Sequence, residues 1–121
     1  MSSFLTAHRA NVLAATAPFS GGADPWNYET PSQPIHSLVT WGGPTDTYGT
    51  CSFHDSSLYM IDQLNSDGST TFACEHTGGH TWPSEAVDMA RQFFDAHAFG
   101  VESPWTDGLP DDMPSFCSTT Q

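Results

Sequence analysis

The sequence predicts one α/β domain with about three parallel strands, flanking helices and an irregular C-terminal tail. Three observations lead to this prediction: apolar runs are bounded by turn residues, segments with a helical apolar period lie between these runs, and the loops are short. A helix between two strands returns the chain to the same edge, which makes neighbouring strands parallel. The 121 residues suffice for one domain at most, with an expected core over 1–100 and the tail over 101–121.

Three segments have the composition of strands. Residues 12–17 form a continuous apolar run, which is typical of a strand buried on both faces of a parallel sheet. The second predicted strand covers 35–41 and the third covers 70–76, and a glycine pair soon follows each of them. The proline-rich segment over 23–34 is predicted to be an excursion loop.

Helical segments alternate with these strands. The N-terminal residues are predicted to be the end of a helix that stops near Asn11. Residues 52–64 carry apolar side chains on a helical period, and an Asp-Gly pair follows them. A third helix is expected to begin after the predicted N-cap Ser84, with a regular apolar face, and to stop before Gly100.

The charge balance excludes several classes of partner. Only two residues are Lys or Arg, whereas 14 are Asp or Glu, which gives a formal net charge of −12. Nucleic acid is not expected as a partner because its phosphates need a basic surface, and an anionic membrane surface is disfavoured for the same reason. The first residues lack the features of a signal peptide, and no segment approaches the run of about 20 apolar residues that spans a membrane.

Two loops carry residues with reactive side chains. Asp46 follows the second predicted strand in a glycine-proline turn, and His80 follows the third strand directly after two glycines. Reactive groups of open α/β sheets lie beyond the carboxyl ends of the strands, so both loops are expected at one edge. A carboxylate that orients an imidazole is part of a Ser-His-Asp triad. Asp46 and His80 are therefore the candidate catalytic residues, while Trp41 and Trp82 beside them either line an acyl pocket or pack in the core.

Three motifs give the chain a resemblance to a known family. They are A-P-F-S-G-G at 17–22, W-G-G-P-T-D at 41–46 and C-E-H-T-G-G-H-T-W-P at 74–83. The chain resembles the polyhydroxybutyrate depolymerase and feruloyl or acetylxylan esterase group of α/β-hydrolases. The resemblance implies a partial α/β-hydrolase fold, no cofactor, an extracellular parent enzyme, and hydrolysis of esters in a polyester or an acylated polysaccharide. It also implies that Asp46 and His80 are the acid and the histidine of the triad.

The nucleophilic serine of that group is missing from this sequence. The group carries it in a G-x-S-x-G motif, which occurs nowhere in the 121 residues, and Ser20 is no substitute because Pro18 stands where the first glycine belongs. We therefore expect Met1 to follow directly on the missing motif, and the chain alone to hydrolyse esters at near-background rates. The strand over 12–17 would lack a neighbour, which predicts self-association through this apolar edge.

Other interpretations of these residues stay open. An aspartate in a turn also serves to accept backbone hydrogen bonds, and the chain is alternatively a non-catalytic interaction module derived from a hydrolase. A weaker alternative is a small metal-binding protein that uses Cys74, His76 and His80, although their spacing lacks a zinc pattern. Cys51, Cys74 and Cys117 allow three pairings for one disulfide, among which the sequence does not decide.

Overall fold

The computed structural model describes residues 2–120, which form a mixed α/β fold around a four-stranded, mostly parallel sheet. The elements follow one another as α1 (Ser2–His8), β1 (Ala15–Thr16), β2 (His36–Trp41), β3 (Thr47–Tyr48), β4 (Cys51–Ser52), α2 (Phe53–Ser66), β5 (Thr70–Glu75), α3 (Ala86–Ala96) and β6 (Cys117–Thr119). The main sheet has the order β1-β2-β5-β6, and β3 pairs with β4 in a separate antiparallel ribbon. The predicted α/β class is confirmed, since β1, β2 and β5 are parallel.

The pairing of β2 with β5 sets the position of the loops that follow them. The two strands are in register along their whole length, from His36 opposite Thr70 to Trp41 opposite Glu75. Helix α2 is the crossover between them, as parallel neighbours require. Because both strands end at the same level, the segments after Trp41 and after Glu75 leave the sheet side by side.

Strand β2 is buried on both faces, from Ser37 to Trp41. Leu38 belongs to a cluster with Phe72 of β5 and Phe93 of α3. The next residue, Val39, packs instead with Ile61 of α2. The two helices therefore cover opposite faces of the sheet, and the strand that leads to Asp46 lies in the centre of the core.

The first strand is shorter than the sequence predicts. β1 contains Ala15 and Thr16, whereas the apolar run begins at Val12. The backbone N–H groups of Val12 and Leu13 donate to the carbonyl of Arg9 at 3.0 Å, so they close the turn after α1 and do not pair with β2. Val12 is 66 % exposed as a result. β1 itself lies at one edge of the sheet.

The start of α2 agrees with the prediction from the sequence, whereas the N-cap of α3 does not. Ser52 caps α2 with a hydroxyl oxygen that accepts the Asp55 N–H at 3.2 Å, in agreement with the predicted start. The predicted cap of α3, Ser84, is wrong. Its hydroxyl donates to the Glu85 carboxylate at 2.9 Å, and the helix begins at Ala86 without a side-chain cap.

The C-terminal segment is more regular than the sequence predicts. β6 pairs antiparallel with β5, and a disulfide joins Cys74 to Cys117 across this pair. Trp105 and Met113 of the same segment are buried in the cluster beside α3. The prediction of an irregular tail is therefore wrong for residues 117–119, and much of the segment packs against the sheet. The remaining cysteine, Cys51, is an exposed thiol.

Candidate active site

Two glycines allow the loops after β2 and β5 to touch. The Gly79 N–H donates to the Gly42 carbonyl at 3.1 Å. A Cβ atom added to Gly42 would lie 1.8 Å from the Gly79 carbonyl oxygen, so a larger residue at position 42 would force the loops apart. Gly79 also has a positive φ of 65°, which an L side chain adopts only with strain. These glycines thus allow the backbones of the two loops to approach each other closely.

This approach brings Asp46 and His80 into direct contact. His80 Nδ1 lies 2.9 Å from Asp46 Oδ1. Because a carboxylate only accepts hydrogen bonds, Nδ1 carries a proton, so in the neutral ring the lone pair is on Nε2. The two candidate residues from the sequence, Asp46 and His80, are therefore in contact. This tautomer of the imidazole is the one that a general base needs.

Asp46 is a buried carboxylate with three hydrogen-bond donors. It is 0 % exposed, and its Oδ2 accepts the Gly42 N–H at 2.8 Å and the Ser20 hydroxyl at 2.7 Å, while Oδ1 faces His80. Burial raises the pKa of Asp46, but the hydrogen bonds from Gly42, Ser20 and His80 outweigh burial, so the pKa is lowered below its ordinary value of 3.8. The carboxyl group is therefore ionised at neutral pH. Because Asp46 also accepts the Gly42 N–H, it has the second role considered from the sequence, that of an aspartate that accepts a backbone hydrogen bond within a turn.

Aromatic rings surround the imidazole of His80. The Phe53 ring stacks on it with a centroid distance of 4.7 Å and an interplanar angle of 12°, and the Tyr48 ring lies at 5.9 Å. Phe53 is also the first residue of α2, and its N–H donates to the Asp46 carbonyl at 2.8 Å. The start of α2 thus positions the Asp46 backbone and the His80 ring together. Sequence patterns mark Phe53 only as a helix residue and give no signal for Tyr48.

A cavity of about 210 Å³ opens beside His80. Its lining residues are Phe19, Ser20, His80, Thr81 and Trp82. The rings of Phe19 and Trp82 stack at a centroid distance of 4.5 Å, which makes one wall of the cavity apolar. The His80 side chain is 44 % exposed, so solvent and small molecules reach the imidazole. Trp41, the other tryptophan beside the loops, is buried in the core and does not line this cavity.

Among the residues that the structure describes, no serine is hydrogen-bonded to His80. Within residues 2–120, the hydrogen bonding of His80 runs through Nδ1 alone. Ser20 lines the cavity, but its hydroxyl donates to Asp46 and not to the imidazole. A triad nucleophile must instead bond to Nε2, which takes its proton. Among the described residues, no serine hydroxyl therefore bonds to Nε2 of His80.

The ligand set suggested for a metal ion is broken by the disulfide. Cys74 is oxidised with Cys117 and has no thiolate to offer. His76 uses Nδ1 to accept the Gly78 N–H at 3.1 Å. Among residues 2–120, no group of three or more His, Cys, Asp and Glu side chains is arranged to hold a metal ion. His80 is thus engaged with Asp46, and Cys74 and His76 each have another partner.

No known protein family matches the chain, and no curated protein and no solved structure is significantly similar to it. In the part of the chain that the structure describes, no helix combines the length and the apolar character that a membrane crossing needs. A functional proposal therefore depends on the geometry of the two loops.

Proposed function

We propose that Asp46 and His80 are the acid and the general base of a serine-type carboxylic-ester hydrolase. The observation that carries this proposal is the 2.9 Å hydrogen bond between a buried, ionised carboxylate and Nδ1 of an accessible imidazole. Both residues lie beyond the carboxyl ends of neighbouring parallel strands, which is where α/β enzymes hold their reactive groups.

In the proposed reaction, His80 Nε2 takes the proton of a serine hydroxyl while the serine oxygen attacks the ester carbonyl carbon. The imidazolium that forms is stabilised by the Asp46 carboxylate, and it then gives its proton to the leaving alcohol. A water molecule repeats these steps on the acyl-serine: His80 takes one proton, the water oxygen bonds to the carbonyl carbon, and the serine regains a proton as the acid leaves. Asp46 stays ionised throughout, since its hydrogen bonds keep its pKa low.

The nucleophile of this proposal lies in polypeptide outside these 121 residues. We propose that the sheet is part of an α/β-hydrolase fold, in which the acid precedes the histidine along the chain as Asp46 precedes His80. β1 lies at one edge of the sheet, so a strand that leads to the serine has a place to pair. That strand would bring the serine to the same edge as His80, because parallel strands share their carboxyl ends.

The surroundings of His80 support an ester with a small apolar acyl group. The stacked rings of Phe19 and Trp82 form an apolar wall beside the imidazole. The cavity of about 210 Å³ is smaller than the roughly 300–1,000 Å³ of sites for larger ligands, so it suits a short chain or one ring. Polyesters and acylated polysaccharides both present such groups and are the two proposed substrate classes. The disulfide supports an extracellular parent enzyme, because such bonds persist in oxidising compartments.

A second proposal concerns the sheet edge. β1 is two residues long, and the nearby Val12 is 66 % exposed, so apolar surface lies beside an edge strand. We propose that the isolated chain self-associates through residues 12–17, as an interaction module would. Size-exclusion chromatography with light scattering should then give dimers or larger species. A monomer at all concentrations would contradict this proposal.

Ester hydrolysis tests the main proposal. The 121-residue chain is compared with a longer protein translated from the gene and containing an in-frame G-x-S-x-G motif, with p-nitrophenyl butyrate as the substrate. The longer protein should be active, and its serine-to-alanine and His80→Ala variants should lose about 10³-fold or more in kcat/KM. The 121-residue chain should remain at background. Turnover by that chain that depends on His80, or a longer protein indifferent to His80→Ala, would overturn the proposal.

A further inference from the structure

We propose that Ser20 is a positioning residue for Asp46, and that its hydroxyl fixes the carboxylate in the orientation that presents Oδ1 to His80. The catalytic meaning of this role depends on the proposed function, whereas the positioning itself depends only on the contacts of Ser20. Neither the resemblance nor the motif spacing assigns a role to this residue.

The two oxygens of Asp46 have separate partners. Oδ2 accepts the Ser20 hydroxyl at 2.7 Å and the Gly42 N–H at 2.8 Å, and Oδ1 accepts from His80 Nδ1 at 2.9 Å. These donors come from three separate loops, so together they define the plane of the carboxylate. Without the hydroxyl, Oδ2 would keep a single donor, and a buried carboxylate with fewer donors is less stable and less firmly oriented.

The backbone of Ser20 is strained at this position. Its φ is 43°, and within residues 2–120 it is the sole non-glycine residue with a positive φ. An L residue in this region is strained, whereas glycine adopts it without strain. Gly21 and Gly22 follow directly, so glycine is used in this turn, yet the strained position holds a serine. A side chain that bonds to a buried carboxylate offsets such a cost.

Neighbouring contacts impose this conformation. The Ser20 N–H donates to the Thr40 carbonyl at 2.8 Å, and the Thr40 N–H donates to the Pro18 carbonyl at 2.9 Å, so the chain is paired to β2 up to Ser20. Two residues later it passes close to α2: a Cβ atom added to Gly22 would lie 2.1 Å from the Ser56 carbonyl carbon. The chain must turn sharply between these two contacts, and the turn aims the Ser20 hydroxyl at Asp46.

The inference is tested by titrating the Asp46 carboxyl carbon by NMR in the 121-residue chain, with three variants at position 20. Ser20→Ala and Ser20→Gly both remove the hydroxyl, but glycine also removes the strain. Both should shift the Asp46 pKa upward to the same extent, because a hydrogen bond to the charged form is lost. Ser20→Thr keeps the hydroxyl and should keep the low pKa, even if the β-branched side chain lowers stability.

Catalysis in the longer protein provides a second readout. Ser20→Gly should lower kcat by about tenfold with little change in KM, because His80 loses an oriented partner while the acyl wall is unchanged. Ser20→Thr should restore part of kcat.

Two results would overturn the inference. The first is an unchanged Asp46 titration in both hydroxyl-free variants. The second is a shift in Ser20→Ala that disappears in Ser20→Gly, which would assign the effect to the backbone. An inactive longer protein with the expected titrations would instead refute the proposed function and leave the positioning role supported.

Discussion

Two histidines at opposite ends of one sheet have opposite surroundings. His80 lies beyond the carboxyl ends of β2 and β5, with an ionised carboxylate on Nδ1 and an accessible ring. His97 lies near their amino ends, where its ring centroid is 4.8 Å from that of His36, the first residue of β2. His97 is 7 % exposed, and among the described residues it forms no ion pair with a carboxylate. One imidazole is placed to accept a proton, and the other is placed to stay neutral.

Hydrogen bonds and burial explain the neutrality of His97. Its Nδ1–H donates to the Phe93 carbonyl at 2.7 Å, and its Nε2 accepts the Ser103 hydroxyl at 2.7 Å. Ser103 Oγ also accepts the Trp105 N–H at 3.1 Å, so a proton on Nε2 would require the serine hydroxyl to turn away. Burial lowers the pKa of His97 below its ordinary value of 6.5, and His36 lowers it further, against the opposing effect of the Phe93 bond.

The hydrogen-bond partner of each imidazole accounts for its role. His36 Nε2–H donates to the Val101 carbonyl at 2.8 Å, since a carbonyl only accepts. Through their Nε2 atoms, His36 and His97 therefore hold the segment of Val101 and Ser103 against the sheet. At the other end, Asp46 orients His80 and leaves Nε2 without a protein partner in the described residues.

The largest expected effect is that of Gly42→Ala, which separates the two loops at the His80 end. The new Cβ would meet the Gly79 carbonyl oxygen at 1.8 Å. We expect a loss of about 3 kcal/mol or more in the free energy of unfolding, together with loss of the Asp46–His80 bond. Chemical denaturation and imidazole NMR measure these two results.

The matched control for this change is Gly21→Ala. A Cβ atom at Gly21 has its nearest neighbour at 3.5 Å, which is ordinary contact. We expect a change within about 1 kcal/mol. Equal destabilisation by both substitutions would show that the close approach of the loops is not the cause.

Reduction of the disulfide should loosen the C-terminal segment more than the Asp46 loop, although Cys74 lies near the carboxyl end of β5. The Cys74–Cys117 bond closes a sequence separation of 43 residues and anchors the segment that contains Trp105. Its loss should cost about 2–4 kcal/mol of stability. Thermal unfolding of Cys117→Ser measures this loss, with Cys51→Ser as a control that should be close to neutral. Hydrogen exchange of Cys117→Ser tests the expected order. The prediction is contradicted if the Asp46 loop is less protected than the C-terminal segment.

Acid should destabilise the two ends in different pH windows. His97 favours its neutral form in the fold, so the stability it provides is present above pH 6.5 and is lost as the pH falls below that value. Asp46 favours its charged form, so its contribution is lost only as the pH falls below 3.8.

Melting temperatures measured from pH 7.5 to pH 3 check this expectation. They should fall first below about pH 6.5, and His97→Gln should flatten that part of the curve while the fall at lower pH remains. A wild-type curve that is flat between pH 7 and pH 5 would show that His97 is not held neutral.

The smallest expected effect on stability is that of Trp82→Ala at the cavity beside His80. Trp82 is 70 % exposed, so its loss should change the free energy of unfolding by about 0.5 kcal/mol or less. In the longer, active protein the same change should raise KM by several-fold, because an apolar wall is lost. Trp26→Ala is the control, since Trp26 is 87 % exposed and lies outside the cavity lining. Equal effects of both substitutions on KM would show that Trp82 does not contribute to binding of the acyl group.

Sequence patterns predict the features that depend on neighbours along the chain. The strand composition of 35–41 and 70–76 and the glycine pairs that follow are local signals, and they place Asp46 and His80 at one edge of the sheet. The start of α2 at position 52 is local as well, because the Ser52 hydroxyl caps the helix. Val12 shows the limit of such signals, because its apolar side chain fits a strand, yet its backbone N–H closes a turn with Arg9.

The parts that the sequence did not predict depend on distant partners. Ser20 bonds to a residue 26 positions away and needs a positive φ that no pattern marks. The pairing of Cys74 with Cys117 requires β6, whose residues show no strand pattern within a proline-rich segment. His97 carries no motif, and its role arises from rings and hydrogen bonds that four segments bring together: β2, β5, α3 and the segment of Ser103 and Trp105.

The tautomer of His80 tests most directly whether Asp46 and this imidazole form an acid–base pair. Nitrogen-15 chemical shifts of the imidazole at alkaline pH should show the proton on Nδ1 and a lone pair on Nε2, because Oδ1 of Asp46 accepts that proton at 2.9 Å. Asp46→Leu should shift the ring toward the Nε2–H form. A wild-type ring with its proton on Nε2, or a tautomer unchanged by Asp46→Leu, would contradict the pairing on which the proposed hydrolase depends.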